Sequence, residues 1–279
     1  MPEKKETQLP LSGDAPTAPT QTGNALTVKT EALKAFLQFS QAIRDEHFLI
    51  IDSKGFSVHT RDSSNTCMGI VEMAVPNSYP SEVKCGVRLA NLVASLPKSA
   101  DMKITPDGRN LKLEAPDYEA NFVMIADSDP SLVQSELKRD KDFRTVQQSG
   151  FIVGAKDFAD KTQSLKSAFA KVDFLTMISE EKKPEEVILT IDDSALGSLH
   201  YRLLTSGGKP ETWRRGYSFD LIMPMLKTAS SYTQEIKIGW LINPKNGEAV
   251  TVLSGQTADG LIRYAYAIAP RIPPESIKD

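Results

Sequence analysis

The stretch FLIIDSKGFSVHTRDSSNTCMGIVEMA, residues 48–74, decides how this chain is read. FLIID and FSVHT are rich in β-branched and aromatic residues, and Asp52, Ser53, Lys54 and Gly55 between them are turn formers. A second polar turn, residues 62–66, leads at once into apolar Met68, Ile70, Val71 and Met73. The reading is three short strands joined by two turns. The stretch contains no metal cluster and no phosphate loop.

The same pattern returns at FLTMISEEKKPEEVILTIDDSALGSLHYRLLT, residues 174–205. Upstream of each meander stand a short strand and an amphipathic helix. In TEALKAFLQFSQAIRDE, Leu33, Phe36, Leu37 and Ile43 share one face, with Thr30 as the expected cap. In KDFADKTQSLKSAFAK the inward residues are Phe158, Leu165 and Phe169. Downstream of each meander come a strand, a second helix, a hairpin and a last strand. The second helices are RLANLVASLP and LIMPMLKTAS, the latter with Asp220 as cap and Pro224 in its first turn. The hairpins turn at Asp107 and Gly108, and at Asn246 and Gly247.

Such a duplication, offset by roughly 125–135 positions, predicts an α+β protein of two similar domains. Each has two helices packed on antiparallel sheet. The expected limits are a disordered tail (1–24), a first domain (25–125), a polar connector (126–148), a second domain (149–272) and a short C-terminal tail (273–279). Residues 1–24 are rich in Pro, Thr, Gln and Gly, with too little apolar surface to offset chain entropy. The connector is long for a compact protein, which marks it as a functional candidate. Asp129 and Pro130 could start a short helix in it.

The 279 residues are 40% hydrophobic and 25% charged, with a formal net charge of −3. That argues against a wholly basic nucleic-acid binder but leaves room for a basic patch. No apolar run has the length of a membrane span, and the N-terminus lacks a secretory apolar core. Cys67 and Cys85 sit in strand-like sequence and read as reduced, buried thiols. His47, His59 and His200 are scattered, so no metal site and no cofactor are expected. Asp192, Asp193, Glu185 and Glu186 read as outward charge. SGGKPETWRRG, residues 206–216, lacks the spacing of a phosphate loop and reads as a loop.

With both halves in view, the chain resembles the sliding clamps of the PCNA family. The resemblance rests on IIDSKGFSVHTRDSSNTCMGIVEM, on VRLANLVASLPKSADMKITPDGRNLKLEA and on the C-terminal IRYAYAIAPRI. It implies a non-enzymatic homotrimeric ring, pseudo-sixfold, that encircles double-stranded DNA without reading its sequence. It implies DNA polymerase, a clamp loader and other motif-bearing replication and repair proteins as partners. It also implies an intracellular location, in an archaeon-like cytoplasm and nucleoid or in a nucleus. Alternatives are a subunit of a heterotrimeric or checkpoint-type clamp, a monomeric viral-type processivity factor and, remotely, a two-domain α/β enzyme.

The resemblance assigns three sets of residues. The DNA-facing candidates are Lys34, Arg44, Arg88, Lys98, Lys156, Lys161, Lys166, Lys171 and Lys227. By helical spacing Lys156, Ser164 and Lys171 share a polar face, while Lys161 and Lys166 lie at its edges. Asp157 and Asp160 dilute that helix, so a shallow salt dependence of DNA binding is expected. Lys209, Arg214 and Arg215 are further candidates for touching DNA. The expected pocket for partner motifs takes Asn65, Thr66, Met68, Ile125, Ala267, Ala269 and Pro270. Ala267 stands where the family often has an aromatic residue. The expected subunit contact pairs residues 118–125, with Tyr118 and Phe122, against LHYRLL of a neighbour, with His200, Tyr201 and Leu203.

Overall fold

A computed structural model describes residues 25–64, 66–75, 82–98, 101–127, 129, 132, 150–180, 182–193, 195–207, 212–242 and 249–270. The expected tails, most of the connector, its short helix and the turn at Asn246 and Gly247 lie outside these residues.

The first half runs β1 (Leu26–Lys29), α1 (Thr30–Gln41), β2 (Glu46–Asp52), β3 (Gly55–Arg61), β4 (Cys67–Ala74), β5 (Val83–Arg88), α2 (Leu89–Ser95), β6 (Asp101–Asp107), β7 (Asn110–Ala115) and β8 (Tyr118–Val123). The second half repeats the order. It runs β9 (Gly150–Gly154), α3 (Ala155–Ala168), β10 (Phe174–Ser179), β11 (Glu186–Asp193), β12 (Gly197–Ser206), β13 (Trp213–Ser218), α4 (Phe219–Tyr232), β14 (Glu235–Ile242), β15 (Ala249–Gln256) and β16 (Ile262–Ile268). The α+β class and both expected meanders are present.

The strands form two antiparallel sheets. One is four-stranded, in the order β1-β6-β7-β8. The other has twelve strands, in the order β13-β10-β11-β12-β9-β14-β15-β16-β4-β3-β2-β5. The long sheet crosses from one half to the other where β16 pairs with β4, Ile262 opposite Met73 through Ile268 opposite Cys67.

Apolar faces of the helices close a core against these sheets. Phe36, Phe39, Leu37, Phe158, Leu165, Phe219, Ile222 and Leu226 are all buried within it. The two halves are tied through α1: Phe39 stacks on Tyr264 with ring centroids 4.5 Å apart, and the Tyr266 hydroxyl donates to the Phe39 carbonyl at 2.7 Å. Tyr232 of α4 donates its hydroxyl to Gln38 of α1. Gly69 on β4 lets the segment just after α1 approach, because a Cβ there would stand 2.0 Å from Cδ1 of Ile43.

Several local expectations shift. α1 ends at Gln41, short of the expected length, and Ser40 bonds back to the Phe36 carbonyl at 2.9 Å. Thr30 is not the cap but the first helical residue, preceded by Lys29. Asp220 likewise falls inside the first turn of α4, behind Ser218. Pro224 therefore lies within that helix and not in its first turn. The carbonyl one turn earlier belongs to exposed Asp220, where water can replace the missing N–H.

Candidate functional site

Three surfaces carry the expected site residues, and the helices supply the first. α2 packs on α1, α1 on α4 and α4 on α3, which makes one row of four helices. Lys34 on α1, Lys156 on α3 and Lys227 on α4 are exposed, as are Lys98 and Lys171 just beyond α2 and α3. None of these five makes an ion pair among the described residues. The acids Glu31, Asp157, Asp160 and Asp220 are exposed on the same helices.

The other four cations are held differently. Arg88 reaches Glu46 at 3.1 Å and Asp45 at 3.9 Å, and Arg44 lies 4.0 Å from Glu46. Asp45 also caps α2 from outside, accepting from the amides of Leu89 at 2.9 Å and Ala90 at 2.6 Å. Lys166 donates to the Val172 carbonyl at 3.0 Å and lies 5.1 Å from the centre of the Phe219 ring. Lys161 is half-buried, bonded to Asp157 at 2.7 Å and to the Arg202 carbonyl of β12 at 2.6 Å.

The second surface lies at the end of the β16–β4 pair. Asp62, buried at the close of β3, organises the turn. Its carboxylate accepts from Ser64, from Thr66 Oγ1 at 2.7 Å and from the Cys67 amide at 2.8 Å. Burial pushes this carboxyl up, but the bonds from Ser64, Thr66 and Cys67 outweigh it and hold it below its usual value. Thr66 in turn accepts from the Ala269 amide at 2.8 Å. Met68 stands opposite Ala267 and packs with Val250, Val252 and Ala265 in a small apolar cluster separate from the main core.

Thr66, Met68, Ala267, Ala269 and Pro270 are thus brought to one end of one strand pair. Ile125 is not beside them. Its amide bonds to the Gly86 carbonyl at 2.7 Å, beyond β5 and four strands from β4, or about 19 Å at the usual strand spacing. Gly86 permits that crossing, since a Cβ there would meet the Ile125 carbonyl at 2.4 Å. Asn65 lies outside the described residues.

The third surface is made of β8 and β12, strands with an open side among the described residues. β8 ends the four-stranded sheet, and β12 meets β9 only at Thr205 and Ser206. Exposed apolar side chains mark both regions: Val123 at 79%, Leu204 at 75% and Leu196 at 62%. His200 and Arg202 are exposed on β12, while Leu203 is buried. Tyr118, Phe122 and Tyr201 are half-buried against the core.

No protein-family model matches this sequence, and no curated protein matches it. Solved structures do match. One is PCNA of A. fulgidus with the C-terminal region of FEN-1 bound, at TM-score 0.67 and 18% identity, over 89% of this chain and 98% of that one. Another is PCNA of Entamoeba histolytica, at TM-score 0.71 and 12% identity, with the same coverage. This chain has the PCNA sliding-clamp fold.

Among the described residues, both thiols and His47 are buried in surroundings that keep them neutral. Burial pushes the Cys85 thiol up to about 12, helped by the charge of Asp127, and raises that of Cys67 further. His47 is buried and lowered to about 4 by burial, against the opposing bond to the Arg44 carbonyl. Spacing gives no structural role to His47, Asp62 or Asp45. Each acts through hydrogen bonds to backbone, which residue type does not reveal. The one available signal was the polar turn that contains Asp62.

Proposed function

We propose that this chain is a DNA sliding clamp, a non-enzymatic processivity factor. Three copies form an intracellular ring around duplex DNA and tether polymerases and other replication and repair proteins. The observation that carries this reading is the clamp fold itself, on a chain in which β8 ends the four-stranded sheet and β12 meets β9 only at Thr205 and Ser206 among the described residues. Open edges on a soluble protein invite strand pairing, and a head-to-tail contact between two different edges closes a ring.

Lys34, Lys98, Lys156, Lys171 and Lys227 are assigned to diffuse phosphate attraction, which positions DNA without reading bases. With four acids among them, the slope of affinity against salt is shallow. The cluster around Met68 and Ala267 is assigned to partner motifs carrying apolar anchors.

The test combines mass with activity. Light scattering on the full chain is expected to give about three times 30.7 kDa at saturating concentration. The same protein, with a loader, is expected to increase the product length of its cognate polymerase on primed circular DNA. A protein that neither assembles nor stimulates overturns the reading.

A further inference from the structure

Directly opposed residues of an antiparallel ladder point to the same face of the sheet. Arg61 lies opposite Met68, Met68 opposite Ala267 and Ala267 opposite Val252. These four residues form one row across β3, β4, β16 and β15, on the face that carries the small apolar cluster. The other face of the same strands, with Val58, Cys67, Tyr266 and Leu253, belongs to the main core.

Arg61 is the cation of that row, and it makes no ion pair among the described residues. Arg44, Arg88, Arg202 and Arg214, by contrast, each lie within 4.0 Å of a carboxylate. The acid next to Arg61 in sequence is Asp62. Its oxygens are taken by Ser64, Thr66 and the Cys67 amide.

The second meander handles the same place differently. Counted through the ladders from Arg88 and Ser218, the counterpart of Arg61 is Asp192, which faces Ser198 as Arg61 faces Met68. Asp192 is paired with Arg214 at 3.3 Å. The charge at this place is thus answered inside the chain in the second half, whereas in the first half no described residue answers it.

We infer that Arg61 sets the specificity of this surface by selecting partner segments in which an Asp or Glu stands two or three positions from the apolar anchor. The inference rests on the assignment of this cluster to partner motifs under the proposed function, and it adds the charge such a motif must carry. Arg61 is half-buried. A guanidinium at a partly dry surface attracts a carboxylate more strongly than one in open water, and its planar fork can bind both oxygens.

The spacing follows from the row. Met68 and Val250 are partly exposed over Val252, Ala265 and Ala267. An anchor seated between them, over Ala267, lies two strands from Arg61, about 10 Å at the usual spacing. The arginine side chain covers part of that distance. Extended peptide advances about 3.3–3.6 Å per residue, so two or three positions bring a carboxylate within reach. A Lys or Arg at the same position would meet a like charge, so basic segments are rejected as well.

The test uses the full chain, with a display library of random short peptides as the probe. Peptides selected on the parent are expected to carry an apolar residue with Asp or Glu two or three positions away. Titrated singly by fluorescence anisotropy, they should bind about fivefold more weakly to Arg61→Gln and at least about tenfold more weakly to Arg61→Glu. Exchanging the peptide's acid for Lys should restore binding to Arg61→Glu, which a merely structural role of Arg61 would not allow. Met68→Ser combined with Val250→Ser should weaken the same peptides at least about tenfold. Urea unfolding confirms that each variant is folded, as expected for partly exposed positions.

Peptides that depend on Met68 and Val250 but bind Arg61→Glu as well as they bind the parent overturn the role of Arg61 and leave the docking surface standing. So do selected peptides with an aromatic residue in place of the acid. Peptides indifferent to Met68 and Val250, or no selected peptide at all, overturn the docking surface and the inference with it.

Discussion

β4 and β12 are the third strands of two copies of one meander, yet they meet opposite fates. β4 is sealed on its far side by β16, and Cys67, Gly69, Ile70, Val71 and Met73 along it are buried. β12 keeps that side free over most of its length, and Ser198, His200, Arg202 and Leu204 are exposed. The difference is written in residue type. Counted along the ladders β5-β2-β3-β4 and β13-β10-β11-β12 from Arg88 and Ser218, which precede the second helices, Met68 and Ile70 of β4 correspond to Ser198 and His200 of β12. A strand buried for life within its own chain can be apolar on both faces. β12, which shows more of its length to water, carries polar Ser198, His200 and Arg202 among its exposed residues, with Leu204 the apolar exception.

The sharpest way to break this comparison is to truncate each edge in turn. Tyr266, on the sealing strand, is fully buried and bonds the Phe39 carbonyl. Tyr266→Ala is expected to cost about 3–5 kcal/mol in urea unfolding, as for other large aromatic truncations in a core. Leu204→Ser on the free edge is expected to change that stability by no more than about 0.5 kcal/mol. Comparable losses at the two sites would mean that the free edge is covered within the chain.

The first meander also holds a buried base where the second has a hydrocarbon. His47 occupies the place of Leu175, and both are buried. A histidine held near 4 in the fold and near 6.5 when unfolded stays neutral in the native state. The unfolded chain then binds more protons as the pH falls. Its contribution is fully present above about 6.5 and is lost between there and about 4, for a total of about 3 kcal/mol. His47→Leu is expected to flatten the urea midpoint across that window relative to the parent. An unchanged slope would place the acid sensitivity elsewhere.

The duplication, the α+β class and nearly all strands were legible because period-2 apolar patterns and turn residues are local signals. Lys161 shows where legibility stops. Its helical position set it at the edge of a polar face, but only the fold shows the Arg202 carbonyl beside it. Lys156, at the centre of that face, is exposed as the spacing implies. Ile125 fails for a different reason. The chain leaves β8 along β5, and no local pattern encodes the distance from there to Met68. Helix starts moved by one residue at α1 and by two at α4 because neither Thr30 nor Asp220 serves as the cap.

The second turns of the two meanders extend the comparison. Asp62 is buried and collects bonds from Ser64, Thr66 and Cys67, whereas Asp193 bonds the amides of exposed Ala195 and Leu196 at 2.9 and 2.8 Å. Asp62→Ala strands the Cys67 amide and is expected to cost about 1–3 kcal/mol. Asp193→Ala is expected to cost under about 1 kcal/mol, because water can replace its bonds. Since the Asp62 carboxyl is held below its usual value, its contribution is present above the unfolded value near 4 and is lost as pH falls through the lower folded value. The gap between parent and Asp62→Asn should therefore narrow at acid pH, measured by urea unfolding at matched ionic strength. A gap that widens would reverse the assigned direction.

The smallest effect belongs to the free edge itself. Lys161 bridges Asp157 and the Arg202 carbonyl, so an ammonium occupies a backbone acceptor on the open side of β12. Edge lysines commonly guard strands in this way. In the ring proposed above, a strand edge of a second copy would compete for that carbonyl. Lys161→Met removes the competitor while keeping the apolar stem. If one hydrogen bond of about 1 kcal/mol is at stake, self-association should tighten about fivefold by sedimentation across a dilution series. The contrasting assignment, Lys161 as a DNA contact, predicts an unchanged assembly and weaker retention on DNA. Lys156→Met provides the reference, because its side chain makes no ion pair among the described residues and touches no free strand edge. On the proposed function it should weaken DNA retention and leave assembly alone, so the two lysines on one helix separate self-association from attraction to phosphate.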